Sequence, residues 1–65
     1  MTTYELEQQL KREADRRDAL DGDRDEVRKR IDALIRDLRG RGVGVAELAD
    51  LAGMSKQAIH KALNR

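Results

Sequence analysis

The chain has 65 residues, of which 42% are charged and 38% hydrophobic, and it contains one aromatic residue and no proline or cysteine. This length allows one small domain, and the lack of cysteine excludes disulfides, thiolate chemistry and the usual zinc clusters. No apolar run approaches membrane length, and the first ten residues lack the pattern of a signal peptide, so we expect a soluble cytoplasmic protein without membrane contacts. Abundant Arg, Leu, Ala, Glu and Asp with few β-branched residues predict an all-α fold.

Residues 1–39 begin with a signal for the start of a helix. A long series of apolar residues at helical spacing follows, which we call the apolar seam. Thr2 with Glu5, or Thr3 alone, can cap a helix that begins near Tyr4. A three-four spacing then runs to Leu38 and predicts a coiled coil that pairs two subunits. The predicted dimerisation residues are Leu6, Leu10, Leu20, Val27, Ile31 and Leu34. Polar Glu13, Arg17 and Arg24 interrupt the seam, and they either reach solvent or fix register and partner choice.

A helical hairpin is the alternative organisation of the same segment. Asp21-Gly22-Asp23 followed by Glu26 is a stop and restart signal, with Gly22 as the terminator and Asp23 to Glu26 as a capping box. Helices over about 3–20 and 24–39 would then pack the leucines of the first against the apolar residues of the second. The sequence leaves rod and hairpin open, with a slight preference for a break or kink at Gly22.

The next segment joins two predicted regions, 1–39 and 40–65. Residues 25–39 must also supply a third helix for the C-terminal region, through Ile31, Ile35 and Leu38. The connector, RGRGVG, contains Arg39 and Arg41, which are candidate phosphate contacts or simply solvated loop arginines. Residues 1–39 hold ten basic and eleven acidic side chains, net −1, whereas residues 40–65 hold four and two, net +2. The positive charge therefore lies in the C-terminal part of the chain.

The C-terminal string VAELADLAGMSKQAIHKALNR predicts two short helices joined by a tight corner. Ala49 offers a small contact between them, Gly53 tolerates the positive φ of the corner, and Ser55 can cap the second helix. Val43 with Leu48, and Met54 with Ile59, have the spacing of hydrophobic staples, and Gly44 is the expected N-cap of the first helix.

The second of these helices, within residues 55–65, has a polar face. Its polar side chains fall opposite Ile59 and Leu63, and all of them can donate hydrogen bonds while none is acidic. The predicted DNA-binding residues are Ser55, Lys56, Gln57, His60, Lys61, Asn64 and Arg65, together with Arg39 and Arg41. Such a surface suits a polyanion.

This region resembles the phage repressor and Cro type of helix-turn-helix, and the trihelical domains of small bacterial regulators. The resemblance rests on Ala49, Gly53, Ile59 and the string GMSKQAIHKAL, and it covers about a third of the chain. It implies that the second helix, residues 55–65, is a recognition helix that reads a major groove of double-stranded DNA in a transcriptional regulator. It also points to a phage or mobile-element origin. Ala52 departs from the family pattern, which usually has a larger apolar residue there.

The chain offers no catalytic constellation. His60 is the single histidine, the acidic run at 21–26 lacks the glutamate that ends a calcium loop, and RGRGVG lacks the Lys-Ser pair of a phosphate loop. We expect no enzymatic activity, no cofactor, no metal and no small-molecule substrate.

These observations predict a homodimeric, sequence-specific DNA-binding regulator on a palindromic site. Two alternatives remain: a protein-interaction adaptor that uses the N-terminal helices to bind polymerase or a host regulator, and an architectural or excisionase-like DNA-binding factor.

Overall fold

The structure is a computed structural model that describes residues 1–19 and 24–64. Four helices follow one another: α1 (Thr3–Ala19), α2 (Arg24–Gly40), α3 (Val45–Ala52) and α4 (Lys56–Leu63). The described ranges contain no strand, which confirms the predicted all-α fold. None of these helices combines the length and the apolarity needed to cross a membrane.

The first two helices form an antiparallel hairpin. A capping box starts α1, since the Glu5 amide and the Thr2 hydroxyl oxygen lie 3.1 Å apart and the Thr2 hydroxyl donates to the Glu5 carboxylate. Helices α1 and α2 pack against each other, which two parts of one continuous rod cannot do. Since each helix spans about 25 Å and the four connecting residues reach about 18 Å at most, this packing must be antiparallel. The rod is thereby excluded, although the predicted break at Gly22 lies outside the described residues.

The hairpin corrects the predicted dimer seam. Leu6, Leu10, Val27, Ile31 and Leu34 pack into the core of a single chain, where none of them exposes more than 8% of its surface. A second subunit cannot contact side chains that are already enclosed, so these residues are not a subunit interface in this fold. Leu20, the sixth member of the predicted set, lies outside the described residues.

Like α3, helix α2 contacts all three of the other helices. Its Ile35 and Leu38 are fully buried in one cluster with Leu48 of α3 and Ile59 of α4. The hydrophobic core is therefore continuous across the connector at 39–44. This core holds α3 and α4 in place and leaves the outer face of α4 to solvent.

Candidate nucleic-acid interface

The corner between α3 and α4 is a Schellman motif. Gly53 has the left-handed conformation, with φ 62° and ψ 36°. The Met54 amide donates to the Ala49 carbonyl at 3.0 Å, and the Gly53 amide donates to the Asp50 carbonyl at 3.3 Å. These two bonds satisfy carbonyls that the end of a helix would leave without donors. The structure thus confirms Gly53 as the corner residue.

A second Schellman motif ends α2, at a glycine that the sequence analysis did not identify as a helix terminator. Gly42 has a φ of +95°, and the Val43 amide donates to the Leu38 carbonyl at 3.1 Å. Among the three glycines of the connector, Gly40 closes α2 and Gly44 is the extended N-cap of α3. Two similar corners therefore set the direction of α3, one at each of its ends.

Ser55 starts α4 as predicted. Its hydroxyl oxygen accepts a hydrogen bond from the Ala58 amide at 3.1 Å, which fixes the first turn. Ile59 and Ala62 are buried beneath the helix, and Met54 is partly buried against the same core. The cap uses only a lone pair of the Ser55 oxygen, so the hydroxyl proton of Ser55 remains available for a hydrogen bond to a ligand.

The outer face of α4 carries the predicted recognition residues. All six that the structure describes are exposed: Ser55, Lys56, Gln57, His60, Lys61 and Asn64. The helix contains no acidic residue, and its opposite side packs on α2 and α3. Among the described residues α1 makes no contact with α4, so nothing in this part of the chain covers the face. Arg65 lies outside the described residues.

The two arginines predicted to contact phosphate lie at the α2–α3 corner and already have partners. Arg41 Nε lies 3.2 Å from the Asp37 carboxylate, and Arg39 Nη1 donates to the Val43 carbonyl at 3.4 Å. A guanidinium has five N–H donors, so each single bond leaves further donors for a phosphate. Both residues are exposed.

Arg17 supports this site in a way that sequence patterns did not reveal. The Arg17 guanidinium donates to the Ala52 carbonyl at 3.1 Å, and Ala52 is the last residue of α3, next to the Gly53 corner. A cation at a helix C-terminus also interacts favourably with the helix dipole. The two partners are 35 residues apart, so no local spacing could have predicted the contact.

A carboxylate pair lies at the other end of the α1–α3 contact. The pKa of Glu7 is raised above its ordinary value, first because Glu47 hydrogen-bonds to it, then through desolvation and through the negative charge of Glu47. Two carboxylates in such close contact favour a shared proton, and they repel each other when both are ionised. The α1–α3 contact therefore combines one stabilising bond, from Arg17, with one unfavourable pair.

The described residues contain no group of three His, Cys, Asp or Glu side chains that could hold a metal ion. Comparisons of the chain with protein-family models, curated proteins and solved structures find no match.

Proposed function

We propose that this protein is a sequence-specific, double-stranded DNA-binding transcriptional regulator that inserts α4 into the major groove. The observation that carries the proposal is the exposed face of α4, where six side chains can donate hydrogen bonds and none is acidic. The Gly53 corner and the buried Ile59 fix the position of that face on the core.

The side chains on this face suit base edges and phosphates. Gln57 and Asn64 can each make paired bonds to adenine, and Lys56 and Lys61 can reach guanine or a phosphate oxygen. Arg39 and Arg41, and Arg65 at the end of the chain, would add phosphate contacts that position the protein without reading sequence. The local excess of positive charge predicts that binding weakens as salt rises.

We further propose that two copies act together on a palindromic site, with their α4 helices about 34 Å apart. A single module of this size offers few contacts, and joining two modules makes the second contact intramolecular. The interface must lie outside the hairpin core, because the predicted seam is buried there.

Selection of bound fragments from a random duplex library, at low and moderate salt, tests the proposal. On the selected duplex, Gln57→Ala and Lys61→Ala should each weaken binding by roughly tenfold or more, since one base contact contributes about 1–3 kcal/mol. Lys11→Ala is the matched control, because it removes an exposed lysine from α1. It should bind like the unmodified chain, and circular dichroism should show all three variants folded.

Normal binding by both α4 variants would overturn the recognition-helix assignment. If no duplex is enriched at either salt concentration, DNA is not the partner and the protein-interaction alternative gains. If the protein binds the library without enriching any sequence, and this binding vanishes at moderate salt, the surface is a nonspecific basic one.

A further inference from the structure

Helix α3 ends without a cation of its own. Its sequence, VAELADLA, contains no Lys, Arg or His, so no side chain of the helix offsets the negative end of its dipole. The Gly53 corner satisfies the carbonyls of Ala49 and Asp50. The carbonyl of Ala52, the final residue, instead accepts a hydrogen bond from the Arg17 guanidinium of α1 at 3.1 Å. A residue 35 positions earlier in the chain therefore completes the C-terminus of α3.

The surroundings of the Arg17 bond favour a role in holding the corner. Ala52 is fully buried and Arg17 is half-buried, so solvent screens the bond less than on an open surface. Arg17 Nη2 also lies 3.7 Å from the position that a Cβ atom on Gly53 would occupy. The guanidinium thus lies against both residues at which the helix stops and the chain turns. A hydrogen bond from a charged donor is about twice as strong as a neutral one.

The position of α4 depends on this corner. Only three residues, 53–55, separate the end of α3 from the start of α4. Helix α3 contacts α4, whereas α1 has no contact with α4 in the two ranges that the structure describes. The direct route from Arg17 to the outer face of α4 is therefore through the end of α3.

We propose that Arg17 is a positioning residue for the outer face of α4, and that it acts through Ala52 to set the angle at which α4 leaves the corner. Reading a base edge needs a donor at hydrogen-bond distance and in line with its acceptor, so a tilt of α4 would misplace Gln57. A flexible lysine that contacts a phosphate depends less on geometry. By this proposal α1 belongs to the DNA-reading unit rather than to a separate N-terminal region. The inference rests on the proposed DNA binding, but its structural part is testable without DNA.

Amide NMR spectra of the DNA-free protein test the positioning. Arg17→Met keeps an unbranched side chain but removes the guanidinium, so the amide signals of α4 should shift although α1 does not contact that helix. Arg16→Met removes the same charge at an exposed position one residue away, and it should leave the α4 signals in place. Arg17→Lys keeps a cation that can donate to the Ala52 carbonyl, so it should restore most of the signals. A merely local role would shift only signals near Arg17 and Ala52.

Affinities for two duplexes show whether the effect reaches base reading. Arg17→Met should lower the ratio of the affinity for the selected duplex to that for a scrambled duplex by roughly tenfold, about the discrimination that one aligned base contact provides. Arg16→Met should leave this ratio unchanged. If Arg17 instead contacted a phosphate directly, both affinities would fall together at a constant ratio, which would overturn the proposal.

The spectra also overturn the proposal if the α4 signals are the same in Arg17→Met and in Arg16→Met. Should circular dichroism show that Arg17→Met does not fold, Arg17→Gln replaces it, because its amide ends two bonds short of the guanidinium nitrogens. If the library selection enriches no duplex, the proposed function fails, whereas the spectra of the DNA-free protein still decide whether Arg17 positions α4.

Discussion

Single residues at the corners determine how α3 and α4 meet. Gly53 needs its left-handed conformation to turn the chain between the helices, and an L side chain at that φ costs about 1–2 kcal/mol. A Cβ atom at Gly53 would meet only Arg17 Nη2, at 3.7 Å, which is an ordinary contact. We therefore expect Gly53→Ala to lower the free energy of unfolding by about 1–2 kcal/mol, as measured by urea denaturation.

Gly40 is the matched control for this substitution. It is the last residue of α2, its φ is not positive, and an added Cβ would meet nothing within 4 Å. Alanine is a better helix former than glycine, so Gly40→Ala should leave stability unchanged or raise it by up to about 1 kcal/mol. Equal losses at Gly40 and Gly53 would contradict the assignment of the strain to the corner.

At the scale of elements, the contact between α1 and α3 contains a pH-dependent part. Because the pKa of Glu7 is raised beside Glu47, the folded chain binds a proton more tightly than the unfolded chain. Stability from this group should therefore fall as pH rises from the ordinary carboxyl value of about 4.5 through the raised pKa of Glu7. Above that window the two carboxylates repel each other, and below it the repulsion is absent.

Glu7→Gln should accordingly raise the midpoint of thermal unfolding at neutral pH, and the gain should disappear as the pH falls below the ordinary carboxyl value. Asp15→Asn removes an exposed carboxylate from the same helix and should show no such pH-dependent gain. A Glu7→Gln gain that persists unchanged at acid pH would mean that the carboxylate pair is not its cause.

At the scale of the whole molecule, the apolar seam of the first two helices is part of the folding core. A glutamate at Ile31 would bury an uncompensated charge, which costs about 3–5 kcal/mol, close to the whole stability of a small domain, about 5 kcal/mol. We expect Ile31→Glu to unfold the chain, with loss of helical circular dichroism. An interface residue would instead give a folded monomer.

Ala33→Glu supplies the comparison on the same helix. Ala33 is exposed two residues along α2, so the same charge there should leave the chain folded and its helix content unchanged. A folded, monomeric Ile31→Glu protein would restore the coiled-coil interpretation of the seam.

The sequence by itself determined the features that depend on neighbouring residues. The Thr2–Glu5 cap, the Gly53 corner and the Ser55 cap each involve groups within a few residues of one another, so their residue types were enough to predict them. The all-α class and the exposure of the polar face of α4 followed from helical periodicity, which places Ile59 inward and Lys56 and His60 outward.

Only the tertiary structure decided which surface the apolar seam packs against. The spacing of Leu10 and Ile31 buries equally well against a second chain or against the same chain folded back, because a helix presents the same apolar stripe in both cases. The Arg17 bond to Ala52 likewise needed the fold, since its atoms meet only after α1 has packed on α3. A local pattern specifies which face of a helix is buried, and the topology of the whole chain specifies what buries it.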